Sequence, residues 1–142
     1  MHVQLLEKHL ADLIAASLAV QQAHWNVAGG NFIGLHKLFG KVYGHLQAQV
    51  DEVAERISFF GGNVKGTVDS VSASTSVAKI PNLKDSNDLA SRVGMLLASL
   101  SAEAEKLFEK LTEERDHISA DLLIGHAGVL AKDAWLVAKH GR

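Results

Sequence analysis

A three-and-four spacing of apolar residues, Leu35, Leu38, Phe39, Val42, Leu46, Val50, Val53, Ile57 and Phe60, runs without a break until Gly61-Gly62 halts it. That repeat gives an α-helix one buried face, and a helix of this length needs partners with matching stripes. Three further segments supply them. Leu6, Leu10, Leu13, Ile14, Ser17, Leu18 and Gln21 predict a first helix over residues 3–28, ended by Gly29-Gly30-Asn31. Asp85-Ser86-Asn87-Asp88 offers N-caps to a third, with Leu89, Val93, Leu96, Leu97, Leu100, Leu107, Phe108 and Leu111 as its stripe. Beyond a tight polar turn from Glu113 to His117, a fourth carries Ile118, Leu122, Leu123, Val129, Leu130, Leu136 and Val137. Residues 63–82 lose the period and are rich in Ser, Val, Thr and Gly. That stretch is too long for a turn, and a short helix is expected around Asp69 to Ala73.

The expectation is an all-α fold, one domain over residues 1–142, with no internal repeat. Short connections within each helix pair and one long crossover between pairs are the connectivity of a ferritin-like four-helix bundle. The single Pro and the 47% hydrophobic content agree with it. With no cysteine, disulfides and thiolate metal sites are excluded, which is compatible with a cytoplasmic protein. The apolar stretch from Leu10 to Val20 carries Asp12 and lacks a cleavage pattern, so it reads as half of an amphipathic helix and not as a signal peptide or membrane span. The net charge is −2, and Lys8 and Lys37 are the only Lys or Arg residues among the first forty. Neither feature suits a broadly basic nucleic-acid binder.

The chemistry concentrates in His24, His36, Asp51 and Glu55. Imidazole with carboxylate is a donor set that suits iron, manganese or zinc. On a helical wheel with His36 at 0°, the apolar stripe of the second helix centres near about 270°, Asp51 near about 60° and Glu55 near about 100°. The candidate ligands therefore sit away from the face that closes the bundle. His36 and Asp51 are also ~22 Å apart along one helix at ~1.5 Å per residue, too far for one ion to touch both. Two copies packed antiparallel about a two-fold axis would bring His36 and His24 of one to Asp51 and Glu55 of the other, producing two shared sites. A di-iron centre inside one bundle would instead use two Glu-x-x-His pairs. Glu114 with His117 is the single such pair, at a turn, and reads as capping or solvated charge.

His24-Trp25-Asn26-Val27, Gly29, Phe32, Leu35-His36, Asp51, Ala54-Glu55-Arg56 and Gly61-Gly62 resemble the signature of the Dps proteins, the DNA-binding proteins from starved cells. The resemblance extends over most of the chain, to the crossover and to Asp121-Leu122-Leu123 and Trp135 in the last helix. It implies a hollow dodecamer that oxidises Fe(II), preferably with hydrogen peroxide, and stores the ferric mineral, protecting the cell from oxidative stress. It implies a ferroxidase centre at a two-fold interface, with His24 and His36 from one subunit and Asp51 and Glu55 from its partner. It also places Asp116 and Asp121 along three-fold pores that admit cations. As ordinary residues these two would be an N-cap and a first-turn acid.

Two departures bear on function. The family usually carries an acid four positions after the second His, where this chain has Gly40, with Gly44 and Ala48 on nearby angles. Small residues would let helices approach, with water completing a weakened second iron site. Alternatively His45 or Gln47 enters from a neighbouring position, although His45 lies near about 180° on the wheel. A centre with less negative charge favours zinc or a single iron. DNA binding in the family commonly uses a lysine-rich tail, whereas the basic cluster here is the short Lys139-His140-Gly141-Arg142. The alternative readings are thus a structural DNA-binding protein, or a cage with a zinc- or copper-tuned, impaired centre. Trp25, beside a candidate ligand, reads as a packed interface aromatic. His2, His9, His126 and His140 read as surface or packing residues. Glu103, Glu105, Glu109, Glu113 and Glu114 suit either a mineral-nucleating face or a solvated one.

Overall fold

A computed structural model describes residues 2–140. Its elements are α1 (His2–Asn26), α2 (Phe32–Phe59), the short α3 (Val68–Ser74), α4 (Ser86–Glu113) and α5 (His117–His140). The described residues contain no β-strand, and none of their helices is long and apolar enough to cross a membrane. α1 packs on α2 and α4 on α5 as two hairpins, α1 also meets α4, and α2 also meets α5. The core is continuous through all four long helices, with Leu6, Leu13, Phe39, Leu46, Ile57, Leu97, Leu111 and Leu123 fully enclosed.

Each boundary has a local cause. Gly29 at φ 101° and Asn31 at φ 63° reverse the chain between α1 and α2, a left-handed geometry that Gly and Asn tolerate. Gly61 at φ 80° ends α2 in the same way. Thr67 caps α3, and Asp85 caps α4 by accepting from the Asn87 and Asp88 amides at 3.1 Å each. Asp116 caps α5 through the Ser119 amide at 3.1 Å. The α1–α2 loop is tied to the start of α4, since Ala28 donates to Lys84 O at 2.8 Å and Ser86 donates back to Ala28 O at 3.1 Å.

The crossover is anchored by one buried carboxylate. Asp12 accepts from Lys8 Nζ, Thr75 Oγ1 and the Ser76 amide, each at 2.8 Å. Burial opposes its charge, but these donors outweigh burial and hold its carboxyl below the usual carboxylate range.

Two stripes differ from expectation. On α5 the buried positions are Ser119, Ala120, Leu123, His126, Ala127, Leu130, Asp133, Ala134 and Val137, while Ile118 is 70% exposed and Val129 is exposed as well. Small residues let α5 lie close to α4, where Gly94 meets Ala134 and Val137, so the contact line follows alanines and not the bulkiest apolar side chains. On α1, Leu18 is likewise turned out to solvent.

Candidate metal centre

The reversal at Gly29–Asn31 sets the last turn of α1 beside the first turns of α2, and this brings His24 to His36. Each imidazole donates its Nδ1 hydrogen to the other residue's backbone carbonyl, His24 to His36 O at 2.6 Å and His36 to His24 O at 2.8 Å. The rings stack with centroids 4.0 Å apart and 13° between planes, and Phe32 stacks on His36 at 5.3 Å. A carbonyl can only accept, so both Nδ1 atoms carry hydrogen. In the neutral form each ring then keeps its lone pair on Nε2, the nitrogen free to ligate.

Below the pair lies Gly40. A Cβ there would come within 3.0 Å of His24 Cε1 and 3.3 Å of its Nδ1, so the ring rests directly on the glycine. No acidic residue occurs between Leu13 and Val50, and the charges nearest His36 along α2 are Lys37 and Lys41. Asp51 and Glu55 stand exposed further along the same helix. Among the described residues, no group of three or more His, Asp or Glu within one chain could hold a metal ion. Within one chain the paired imidazoles and the exposed carboxylates thus stand apart.

The ferritin-like domain family matches residues 3–140. The DNA protection during starvation protein of Mycolicibacterium smegmatis is 34% identical over 137 residues, covering 96% of this chain and 74% of that protein. This chain belongs to the Dps branch of the ferritin-like family. Solved Dps structures superpose closely on it. The tetragonal form of Mycobacterium smegmatis Dps gives a TM-score of 0.92 at 33% identity, over 98% of this chain and 85% of that one. Staphylococcus aureus Dps gives 0.92 at 26% identity, over 99% and 95%.

Within this Dps fold the remaining candidates have definite places. His45 does not turn toward His24 and His36: its Nδ1 donates to Asp133 Oδ2 on α5 at 2.7 Å. Gln47 Nε2 reaches Ser17 Oγ at 3.4 Å. Neither fills the place beside Gly40. Asp116 is engaged by the Ser119 amide of α5 and by Arg56 Nη2 at 3.3 Å. Burial works against its charge, but Ser119 and Arg56 prevail and its carboxyl lies below the usual range. Asp121 is exposed one turn on.

Glu114 ends α4 and pairs with His2 at 3.3 Å, so its partner is not His117. His126 lies 3.6 Å from Glu52, and His140 packs on Gly34. Glu103, Glu105, Glu109 and Glu113 are exposed along α4. Trp25 is 68% exposed, and Leu18, Phe59 and Val68 are exposed too. A groove of about 540 Å³ beside Leu18 is lined by Ile14, Val68, Val71, Val77 and Ile80.

Sequence reasoning missed the reciprocal carbonyl bonds and the contact of His24 with Gly40. The signal was a mid-helix glycine at 40, costly in a helix unless something needs the space.

Proposed function

We propose that this Dps-family chain is the subunit of an iron-storing cage, a dodecamer. It oxidises Fe(II) at centres shared between two subunits, preferably with H2O2, and retains the ferric product inside. Two Fe(II) and two protons with one H2O2 would yield two Fe(III) and two waters, a balance with no hydroxyl radical among its products. The name of the relatives, DNA protection during starvation, accords with that outcome.

The supporting observation is the separation of the two ligand halves. His24 and His36 present paired Nε2 atoms that no third His, Asp or Glu among the described residues joins in a metal-holding group, while Asp51 and Glu55 stand exposed on the far part of the same helix. A two-fold pairing of α2 with its copy completes both halves at once. The exposed Leu18, Trp25, Phe59 and Val68 would be covered by that pairing, as large apolar surfaces usually are. The protein's contribution is to hold Fe(II) and orient it, and the imidazoles fixed through Nδ1 are suited to that.

A mixing experiment tests the sharing. His36→Ala and Glu55→Ala should each abolish fast peroxide-driven oxidation in stopped flow while size exclusion shows an intact cage. In co-assembled cages, half the two-fold pairs join one chain of each kind, and each such pair regains one intact centre of two. About a quarter of the parental rate should return, the arithmetic of an isologous interface. Mixed cages as inactive as either parent would place the centre inside one subunit.

A further inference from the structure

Four polar atoms enclosed between the long helices have no hydrogen-bond partner among the described residues: His9 Nε2 on α1, Gln49 Oε1 on α2, and both ring nitrogens of His126 on α5. Groups enclosed in this way are strongly disfavoured unless something bonds them, and ordered water is the usual partner at a polar site. The three residues belong together. Gln49 Nε2 donates to the His126 carbonyl at 3.4 Å. Burial first, and then the charge of His126, holds His9 below the ordinary imidazole value, so the two rings lie within electrostatic reach.

The group also reaches two opposite sides of the bundle. The long helices contact one another in the ring order α1–α2–α5–α4, so α1 and α5 face each other across a diagonal. His9 borders a cleft of about 170 Å³ on the α1/α4 side, lined by Lys8, Asp12, Ser76, Glu103 and Lys110. His126 meets Glu52, half-exposed on the α2/α5 side, at 3.6 Å. On the helical wheel Asp51 and Glu55 leave α2 near about 60° and 100°, and Glu52 leaves it near about 160°. A two-fold partner seated over Asp51 and Glu55 covers the α1/α2 side. The α1/α4 and α2/α5 sides stay open, one toward the inside of a cage and the other toward the outside.

We infer that His9, Gln49 and His126 hold ordered water across the bundle and with it conduct protons between the two open sides, an exit from the cage that entering iron does not use. This rests on the iron-storing reading above. Two Fe(II), one H2O2 and two waters give two FeO(OH) and four protons, and those protons arise where the mineral forms. Cation pores that draw Fe(II) inward send like charge against them. A neutral imidazole accepts a proton on one ring nitrogen and releases the proton of the other. His126 takes a proton from its side and gives one to the water, the water gives one to His9, and His9 gives one on in its turn. Each group ends neutral with one proton moved across, and a flip of each ring restores the starting tautomer. Gln49 Oε1 accepts from the water and orients it, and Glu52 keeps its charge throughout.

Two measurements test the path. A crystal structure of the assembled protein, at a resolution that shows water, should place ordered water within hydrogen-bond distance of His9 Nε2, Gln49 Oε1 and a ring nitrogen of His126. Rings closed against apolar side chains with no water between them would overturn the inference. Stopped flow then follows ferric absorbance and external protons together after Fe(II) and H2O2 meet the protein in weak buffer, with the pH dye coupled to a polymer excluded from the cage. The parent should release protons as fast as ferric product forms. His9→Gln and His126→Gln keep hydrogen-bonding side chains but cannot relay a proton. Their first ferric turnover should stay at the parental rate while protons emerge several-fold later. Protons on the parental time course in both variants would overturn the path and leave the iron-storing cage standing. A parent that forms no ferric product would remove that reading, and this inference with it.

Discussion

His45 on α2 donates its Nδ1 hydrogen to Asp133 Oδ2 on α5 at 2.7 Å, and the carboxylate it meets is almost fully buried. Seven residues along both helices, in opposite directions, Glu52 on α2 lies 3.6 Å from His126 on α5. Between the two pairs Gln49 Nε2 donates to the His126 carbonyl at 3.4 Å. The seam between α2 and α5 therefore carries His–carboxylate contacts at both ends of one heptad, where the sequence alone suggested only scattered histidines.

His45→Ala should destabilise the fold by about 1–3 kcal/mol by stranding the Asp133 carboxylate in the interior. The imidazole itself is about one-third exposed, which puts the expected cost toward the lower end. Adding Asp133→Ala should recover part of the loss, since the two residues act as one unit. Urea unfolding of the two single variants and the double variant, at one protein concentration, checks this. Strict additivity would show that the contact carries no coupling energy.

The protein should lose stability on mild acidification, through His9 and His126. Both are buried, and His9 Nε2 and both ring nitrogens of His126 have no hydrogen-bond partner among the described residues. Burial and the nearby His126 push His9 down to about 4, against the pull of Asp12 and Glu103 and with a further push from Lys8. Burial also lowers His126, opposed by Glu52. A folded-state pKa below the ordinary 6.5 means that the unfolded chain takes the proton first. Stability from this source is complete above the ordinary value and falls as pH drops toward 4. For His9 the full loss is about 3 kcal/mol. His9→Phe should flatten the unfolding free energy between pH 7 and pH 4. An equal slope in both proteins would exonerate His9.

Asp12→Ala should free the crossover before it harms the helices. It removes the acceptor of Thr75, Ser76 and Lys8, at a cost of about 2–4 kcal/mol for charge-assisted bonds to a buried carboxylate. Trypsin should then cut at Lys65 or Lys79 several-fold faster, with helical circular dichroism little changed. Cleavage at the parental rate would mean that the crossover is held by its apolar contacts, through Val71 and Ile80, instead.

Most of the architecture was legible because helical periodicity is a property of the chain itself. The α2 stripe predicted from Leu35 to Phe60 matches buried Leu35, Phe39, Val42, Leu46, Val53 and Ile57. The glycine stops coincide with positive φ at Gly29 and Gly61, and the short helix expected at Asp69 to Ala73 spans Val68–Ser74. Legibility failed where a neighbour chose the contact. Ile118 and Val129 were expected in the core, yet α4 packs on the alanine line of α5. Asp12 was read only as a charge interrupting an apolar stretch, because its partners Thr75 and Ser76 lie more than sixty residues away.

The sequence by itself determined four long amphipathic helices, the crossover between them, and a spacing that keeps His36 from Asp51 and Glu55 within one chain. Those are consequences of helix pitch, which one chain carries along its own length. Only the tertiary structure decided that His24 and His36 lock each other through their carbonyls, that the His24 ring lies against Gly40, and that His45 is spent on Asp133. A helical wheel states the direction in which a side chain leaves its helix. What it meets there depends on the packing of the next helix, and packing is a property of the assembled bundle.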